Sequence, residues 1–525
     1  MAKVRNILFI MCDQLRADYL GCAGHPHLKT PHIDALAAAG TRFERAYVQS
    51  AVCGPSRMSF YTGRYVASHG ASWNRVPLSA AEWTLGDYLR PLGLRVALAG
   101  KTHVLPDAEG LERFGIEGGS ALHALMSQGG FESLDRYDGH TPPGEESGYP
   151  AFLREQGYQS NDPWNDFVVA TVAPDGTVAS GWQMRNVRHP ARIKEEHSET
   201  AYMTDRALGF VEDMGERPWC LHLSYVKPHW PYVAPAPYHA LYGAEHLTPA
   251  NRSAFEWIDP HPALAAYRRH DESLSFARDE TLATVKPVYM GLIAQLDRHI
   301  GRLIERLKRL GRWEDTLIVL TADHGDFLGD HWLGEKELFY EEAWRVPMIL
   351  RDPDPAADAG RGAVETRLVE GIDLIPTFLD ALGGPPHRHR LEGRSLLALT
   401  RAGSKSGAKS DWREAVFGEL DYGFRAARLA LGRGVRECRA MAVRTERWKY
   451  VWWQGLRPQL YDLELDPQER GDLGTSPRHD RIRARMHARL FDWLATRKRR
   501  TTVSDDYVAQ RTNRHRQHGI HIGIW

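Results

Sequence analysis

The chain has no excess of charge of either sign: Lys plus Arg and Asp plus Glu each number 67. That balance gives no basic field for a nucleic-acid backbone and none for an anionic membrane surface. Long apolar runs are missing as well. Near the N-terminus the stretch from Ile7 to Cys12 ends at Asp13, too short for the apolar region of a signal peptide and far below the ~20 residues that span a bilayer. Cysteine is scarce, with five in all, Cys12, Cys22, Cys53, Cys220 and Cys438. An odd, scattered set excludes a disulfide framework and points to a reducing compartment. These absences predict a cytoplasmic protein with no nucleic-acid and no membrane partner. No internal repeat is visible.

What is present is ordinary in bulk and distinctive in pattern. The 525 residues, 42% hydrophobic and 26% charged, allow two or three domain-sized units, or one large α/β core with a smaller partner. Four short runs share one design. Asn6–Met11 leads to Asp13-Gln14, and Leu94–Ala99 leads to Gly100-Lys101-Thr102-His103. Trp219–Tyr225 leads to Lys227-Pro228-His229, and Thr316–Thr321 leads to Asp323-His324-Gly325-Asp326. Runs that are apolar on both faces suit buried strands of a parallel sheet. Ligands of open α/β sheets bind at the carboxyl ends of such strands, where these polar groups collect. Helical patterns alternate with the strands: Thr30-Pro31 opens one that Gly40 stops, and a second runs from about Val288 to Leu310 with Leu292, Leu296, Ile300 and Leu303 on one face. His222, inside a predicted strand, reads as a core histidine. Trp73, Trp164, Trp182 and Trp230 suit either an aromatic pocket or the core.

Past residue 400 the character changes. Ala402–Asp411 has linker composition. Met441–Thr445, Trp448–Trp453 and Pro458–Leu463 read as short strands, and Asp480–Thr496 as a helix. The predicted organisation is a catalytic α/β unit over 1–400, a small α+β subdomain with an antiparallel sheet over 411–496, and a tail over 497–525. That tail ends in Ile520, Ile522, Ile524 and Trp525 and is expected to dock on the core or on another subunit. Arg497–Arg500 reads as a solvated helix end, and the sequon Asn251-Arg252-Ser253 as chance.

The most specific stretch is Cys53-Gly54-Pro55-Ser56-Arg57 followed by Thr62-Gly63-Arg64. It has no CxxC partner. The pattern C-x-P-S-R…T-G-R resembles the signature of the type I sulfatases, and the likeness extends to the phosphonate monoester hydrolases of the alkaline phosphatase superfamily. It covers most of the chain: the first strand, the cysteine signature, the Asp-His-Gly segment and the stretch ending in Leu460-Tyr461-Asp462-Leu463. The resemblance implies an alkaline-phosphatase-like fold, a large mixed and mostly parallel sheet flanked by helices.

It also implies a chemistry. Cys53 is oxidised to formylglycine by a formylglycine-generating enzyme, and the aldehyde hydrate is the nucleophile that forms a covalent ester. Asp13, Gln14, Asp323 and His324, with residue 53 itself, match the ligands of one divalent metal. Oxygen donors with a single nitrogen suit Ca²⁺, with Mn²⁺ second, better than Zn²⁺. Arg57, one helical turn after Cys53, is expected to hold the nucleophile's oxygen. Lys101 and Lys336 match anion-binding lysines, His103 the base and His229 the acid that protonates the leaving group. Gln14 and Asn74 resemble the phosphonate branch, Asn74 with its amide on a substrate oxygen, whereas intact Lys101 and His103 lean to sulfate. The expectation is therefore an arylsulfatase-like hydrolase of sulfate monoesters. The alternative is a phosphonate monoester or phosphodiester hydrolase with crossover between the two. A small-molecule ester is the substrate, and the tail suggests a homodimer or homotetramer.

Overall fold

The computed structural model describes residues 4–139, 141–144, 147–401, 411–498 and 500–523. Four strands open the chain: β1 (Asn6–Asp13), β2 (Thr41–Tyr47), β3 (Arg95–Gly100) and β4 (Glu132–Arg136). A separate hairpin follows, β5 (Ala170–Val172) with β6 (Val178–Ser180). The main sheet is completed by β7 (Trp219–Pro228), β8 (Thr316–Ala322), β9 (Arg345–Arg351), β10 (Ala363–Glu365) and β11 (Val369–Glu370). Its order is β10-β2-β9-β8-β1-β7-β3-β4, with β11 beside β2. Only β9 runs antiparallel to its neighbours, β2 and β8, so the sheet is mixed and mostly parallel.

All four sequence-predicted runs fall in the contiguous centre β8-β1-β7-β3. Every residue of β1, β7 and β8 is buried, as strands covered on both faces must be. Phe9 of β1 pairs with Val319 on one side and His222 on the other. Its ring meets Phe60 and Phe378, which belong to helices Cys53–Thr62 and Leu374–Leu382. Helices Glu199–Met214 and Asp279–Arg309 pack on each other and on β7. The second begins nine residues before the predicted Val288 and runs through Pro287, because Leu282, Val285 and Pro287 extend the buried stripe past the proline. The helix at Thr30-Pro31 spans Pro31–Ala38 as expected.

A four-stranded antiparallel sheet follows: β12 (Ala415–Asp421), β13 (Arg439–Thr445), β14 (Trp448–Trp453) and β15 (Gln459–Asp462). Val416, Leu420, Ala440 and Trp453 join the main core. Ala415, Val443 and Tyr450 instead pack with Met486 and Leu490 of helix Asp480–Thr496. Of the expected linker, residues 402–410 lie outside the described residues, as do Ile524 and Trp525 of the tail. Arg390 donates to the Thr501 carbonyl, 3.0 Å, while Ile520 and Ile522 are exposed. Arg497 and Lys498 are not simply solvated: they reach Glu419 and the Leu391 carbonyl. All five cysteines are free. Among the described residues no helix is long and apolar enough to cross a membrane.

Candidate active site

The parallel centre of the sheet brings its carboxyl ends together, and with them Asp13, Lys101, His229, Asp323 and His324. Cys53 arrives from the side, as the first residue of helix Cys53–Thr62. Asp13, Cys53, Asp323 and His324 are fully buried, and one ligand atom of each lies within 4.8 Å of all the others. Cys53 Sγ is 3.1 Å from His324 Nε2 and 4.0 Å from Asp13 Oδ1. His324 Nδ1 sits 2.8 Å from the Gly325 carbonyl. A carbonyl only accepts, so Nδ1 carries the proton and the Nε2 lone pair faces Cys53. Burial keeps the His324 pKa below its ordinary value, so the ring is a neutral, ligand-competent imidazole.

Cations surround the two carboxylates. Arg57 donates from Nε to Asp323 (2.8 Å) and from Nη2 to Asp13 (3.2 Å). Its Nη1 serves the Lys101 carbonyl and Ser224 Oγ. The guanidinium thus braces the carboxylate pair, where the sequence suggested a hold on the residue-53 oxygen. Lys101 Nζ lies 2.5 Å from Asp13 Oδ2. Burial alone would push the Asp13 carboxyl up. Lys101 and Arg57 outweigh it and hold the group well below the usual carboxylate range.

Lys336 reaches the centre from a loop pinned by the Glu337 N–H on the Ala51 carbonyl, 3.1 Å. Its ammonium donates to Gln14 Oε1 (3.0 Å) and to His229 Nε2 (2.9 Å). Burial pulls the Lys336 pKa down, but negative charge at Cys53, Glu335, Asp13 and Asp323 lifts it above the ordinary lysine value. His229 Nδ1 is 2.6 Å from the Trp230 carbonyl, so Nδ1–H donates there and Nε2 turns to Lys336. Gln14 is held by Asp326 and Tyr232, both bonded to its Nε2, which leaves its carbonyl oxygen to face inward.

His103 stands three residues past the end of β3. Its N–H and that of Thr102 both bond Asp138 Oδ1, fixing a left-handed turn with φ of 58°. Asn74 Oδ1 accepts from the Gly54 N–H, 2.7 Å. Its carbonyl end therefore caps the helix at the nucleophile position, and only the NH₂ end is left to face a substrate. His222 is core, bonded to the Phe9 carbonyl and Tyr61 hydroxyl. Trp164 is buried, Trp73 stacks on Phe424 at 5.7 Å, and Trp182 meets Trp230.

Sequence reasoning missed the groups that orient these residues. Asp326 stood in the quoted Asp-His-Gly-Asp segment, and Ser224 in a quoted strand. Tyr232 follows the His229-Trp230-Pro231 stretch, whereas Asp138 has no sequence signal at all.

Three cations, Arg57, Lys101 and Lys336, against two carboxylates, Asp13 and Asp323, leave net positive charge buried in a low-dielectric centre. Such a site binds anions and stabilises charge on them. On this fold that defines an ester hydrolase of the alkaline-phosphatase-like class. The chain belongs to the sulfatase family, whose model matches residues 5–384, while the model for the C-terminal region of N-sulphoglucosamine sulphohydrolase matches 329–496. It is 31% identical to the multifunctional alkaline phosphatase superfamily protein PehA of Trinickia caryophylli, over 95% of this chain and 96% of that one. It is 27% identical to an arylsulfatase of Clostridium perfringens, over 89% and 90%. Among solved structures it resembles the phosphonate monoester hydrolase SpPMH of Silicibacter pomeroyi. That match has a TM-score of 0.82 and 29% identity, and it covers 95% and 98% of the two chains.

Proposed function

We propose that the protein hydrolyses sulfate monoesters with a nucleophile derived from Cys53. The observation that carries this reading is the excess of buried cations around residue 53, which suits a singly charged anion. Conversion of the Cys53 thiol to formylglycine, by a formylglycine-generating enzyme, replaces a soft sulfur with oxygen. The donor set Asp13, Gln14, Asp323, His324 and residue 53 then fits a hard divalent ion, Ca²⁺ ahead of Mn²⁺. Bound there, the ion lowers the pKa of a residue-53 hydroxyl toward neutrality.

The chain's own residues do the rest. Lys101 and Lys336 hold the anion's oxygens, and Arg57 fixes the two carboxylates in position. The Lys336 ammonium, which donates to His229 Nε2, passes its proton to that nitrogen, and His229 hands it on to the leaving oxygen. His103 takes the proton released as residue 53 regenerates. Residues 1–400 form the catalytic unit, 411–496 a subdomain, and the tail 497–525 a contact in a homodimer or homotetramer.

A second reading, hydrolysis of phosphonate monoesters or phosphodiesters at the same centre, is supported by the similarity to SpPMH and PehA. These substrates also carry one negative charge, so crossover is expected. The test is kcat/KM for 4-nitrophenyl sulfate against 4-nitrophenyl phenylphosphonate, on protein co-expressed with the maturation enzyme. Sulfate is expected to be faster, and Cys53→Ala to lose at least about 10³-fold on both. Faster phosphonate cleavage replaces the first reading with the second. Wild-type rates no higher than those of Cys53→Ala sink both.

A further inference from the structure

Two of the tryptophans that the sequence left between pocket and core, Trp182 and Trp230, meet edge to face with ring centroids 5.6 Å apart. They border a cavity of about 220 Å³, whose walls also include Phe276 and three acids, Asp271, Glu272 and Glu335. Its described lining holds no lysine or arginine. The cavity adjoins the catalytic centre through two neighbouring residues. The Trp230 ring lies 4.5 Å from that of His229, and Glu335 immediately precedes Lys336, whose ammonium contacts His229.

The three acids are not equivalent. Glu272 is already paired with Arg425, and Asp271 is exposed in the first turn of helix Asp271–Phe276. Glu335 is half-buried, with a left-handed backbone at φ of 61°. Burial pushes its carboxyl up to about 7, against the pull of Lys336. A carboxylate that is costly to ionise beside aromatic faces gains most from a cation with an apolar body. Such a cation needs little water, and it is attracted by ring faces and carboxylate together. The catalytic centre holds the opposite preference, an excess of positive charge.

We propose that this cavity binds an organic ammonium group carried on the alcohol side of the ester, the side that leaves with the proton from His229. The proposal rests on the hydrolase reading above and narrows its substrate to zwitterionic esters, an anion at residue 53 and a cation between Trp182 and Glu335. Neutral aryl esters then react without using the cavity's charge.

The test is a binding measurement on the full-length protein, by tryptophan fluorescence and calorimetry, with tetramethylammonium against neopentyl alcohol as the uncharged counterpart. Neither probe is an ester, so binding needs no turnover and no conversion of Cys53. Failure here is therefore separate from failure of the hydrolase reading. Tetramethylammonium is expected to bind about tenfold more tightly than the alcohol. Glu335→Gln should remove most of that preference, and Trp182→Ala should weaken both ligands. Trp182 is 41% exposed, so its replacement leaves Tm within a few degrees, and a thermal scan of each variant checks this. Equal affinities for the two probes, or a preference unchanged in both variants, overturn the proposal. Tighter binding of the alcohol assigns the cavity to a neutral leaving group instead.

Discussion

His324 and His331 stand on one loop, both fully buried, and their environments drive them to opposite ends of the histidine range. Around His324, burial and the Lys336 ammonium outweigh the pull of Asp323 and Asp13, and the ring stays neutral. Around His331, burial is overcome by Glu342 and Glu256, and its pKa is pushed up to about 10. The contacts agree. His324 turns an unprotonated Nε2 to Cys53, whereas both His331 nitrogens face carboxylates, Nδ1 at 2.8 Å from Glu256 and Nε2 at 3.5 Å from Glu342. A buried histidine closed in by acids is a structural cation. One left with a lone pair among lysines is available for chemistry.

The largest effect expected from breaking this contrast is on stability. His331→Gln takes the imidazolium from Glu342 and leaves Glu256 with Arg268 alone, a loss of about 3 kcal/mol in urea unfolding. The folded pKa of His331 lies above its unfolded value near 6.5, so its contribution is complete below that pH and declines as pH rises toward 10. The urea midpoint of the wild type should therefore fall between pH 7 and 10 more than that of His331→Gln, and parallel curves would refute the assignment. Next comes the reactive side of the comparison. Lys336→Ala removes a buried cation from the anion site and is expected to cost about 10²- to 10³-fold in kcat/KM while the urea midpoint moves little. A variant that loses stability and not rate would make Lys336 structural, like His331. The smallest effect belongs to Asn74→Ala, which uncaps the Gly54 N–H. About 1 kcal/mol of stability should go, with a rate loss near tenfold that Asn74→Asp restores in part if the cap is what counts.

Much of the fold and of the site was legible in the residues and some, His331 included, was not. The four central strands announced themselves by unbroken apolar runs, since burial on both faces leaves no room for alternation. The polar residues just past their ends were correspondingly visible as a cluster. The helix read at about Asp480 to Thr496 is found at Asp480–Thr496, its start marked by Ser476-Pro477. By contrast, the partners of Arg57 lie in or just past four different strands, β8, β1, β3 and β7, so its bracing of Asp13 and Asp323 depends on sheet order, which local pattern does not encode. The same holds for Asp138 behind His103, and for Asp326 and Tyr232 behind Gln14. Trp182 and Trp230 looked like core or pocket equally, since aromatic content alone does not say which ring ends beside an acid.

The order of the central sheet also sets a clock. Cys53 and His324 touch across 271 positions of sequence, and β1 cannot be flanked until β7 and β8 exist. At about 5–20 residues per second of synthesis, the Cys53 segment waits roughly 15–50 seconds before the chain that buries it has been made. In the finished protein that side chain is wholly enclosed. Any enzyme that modifies it therefore has to reach it before the sheet closes, and the strand order sets the shortest time for which the segment stays open.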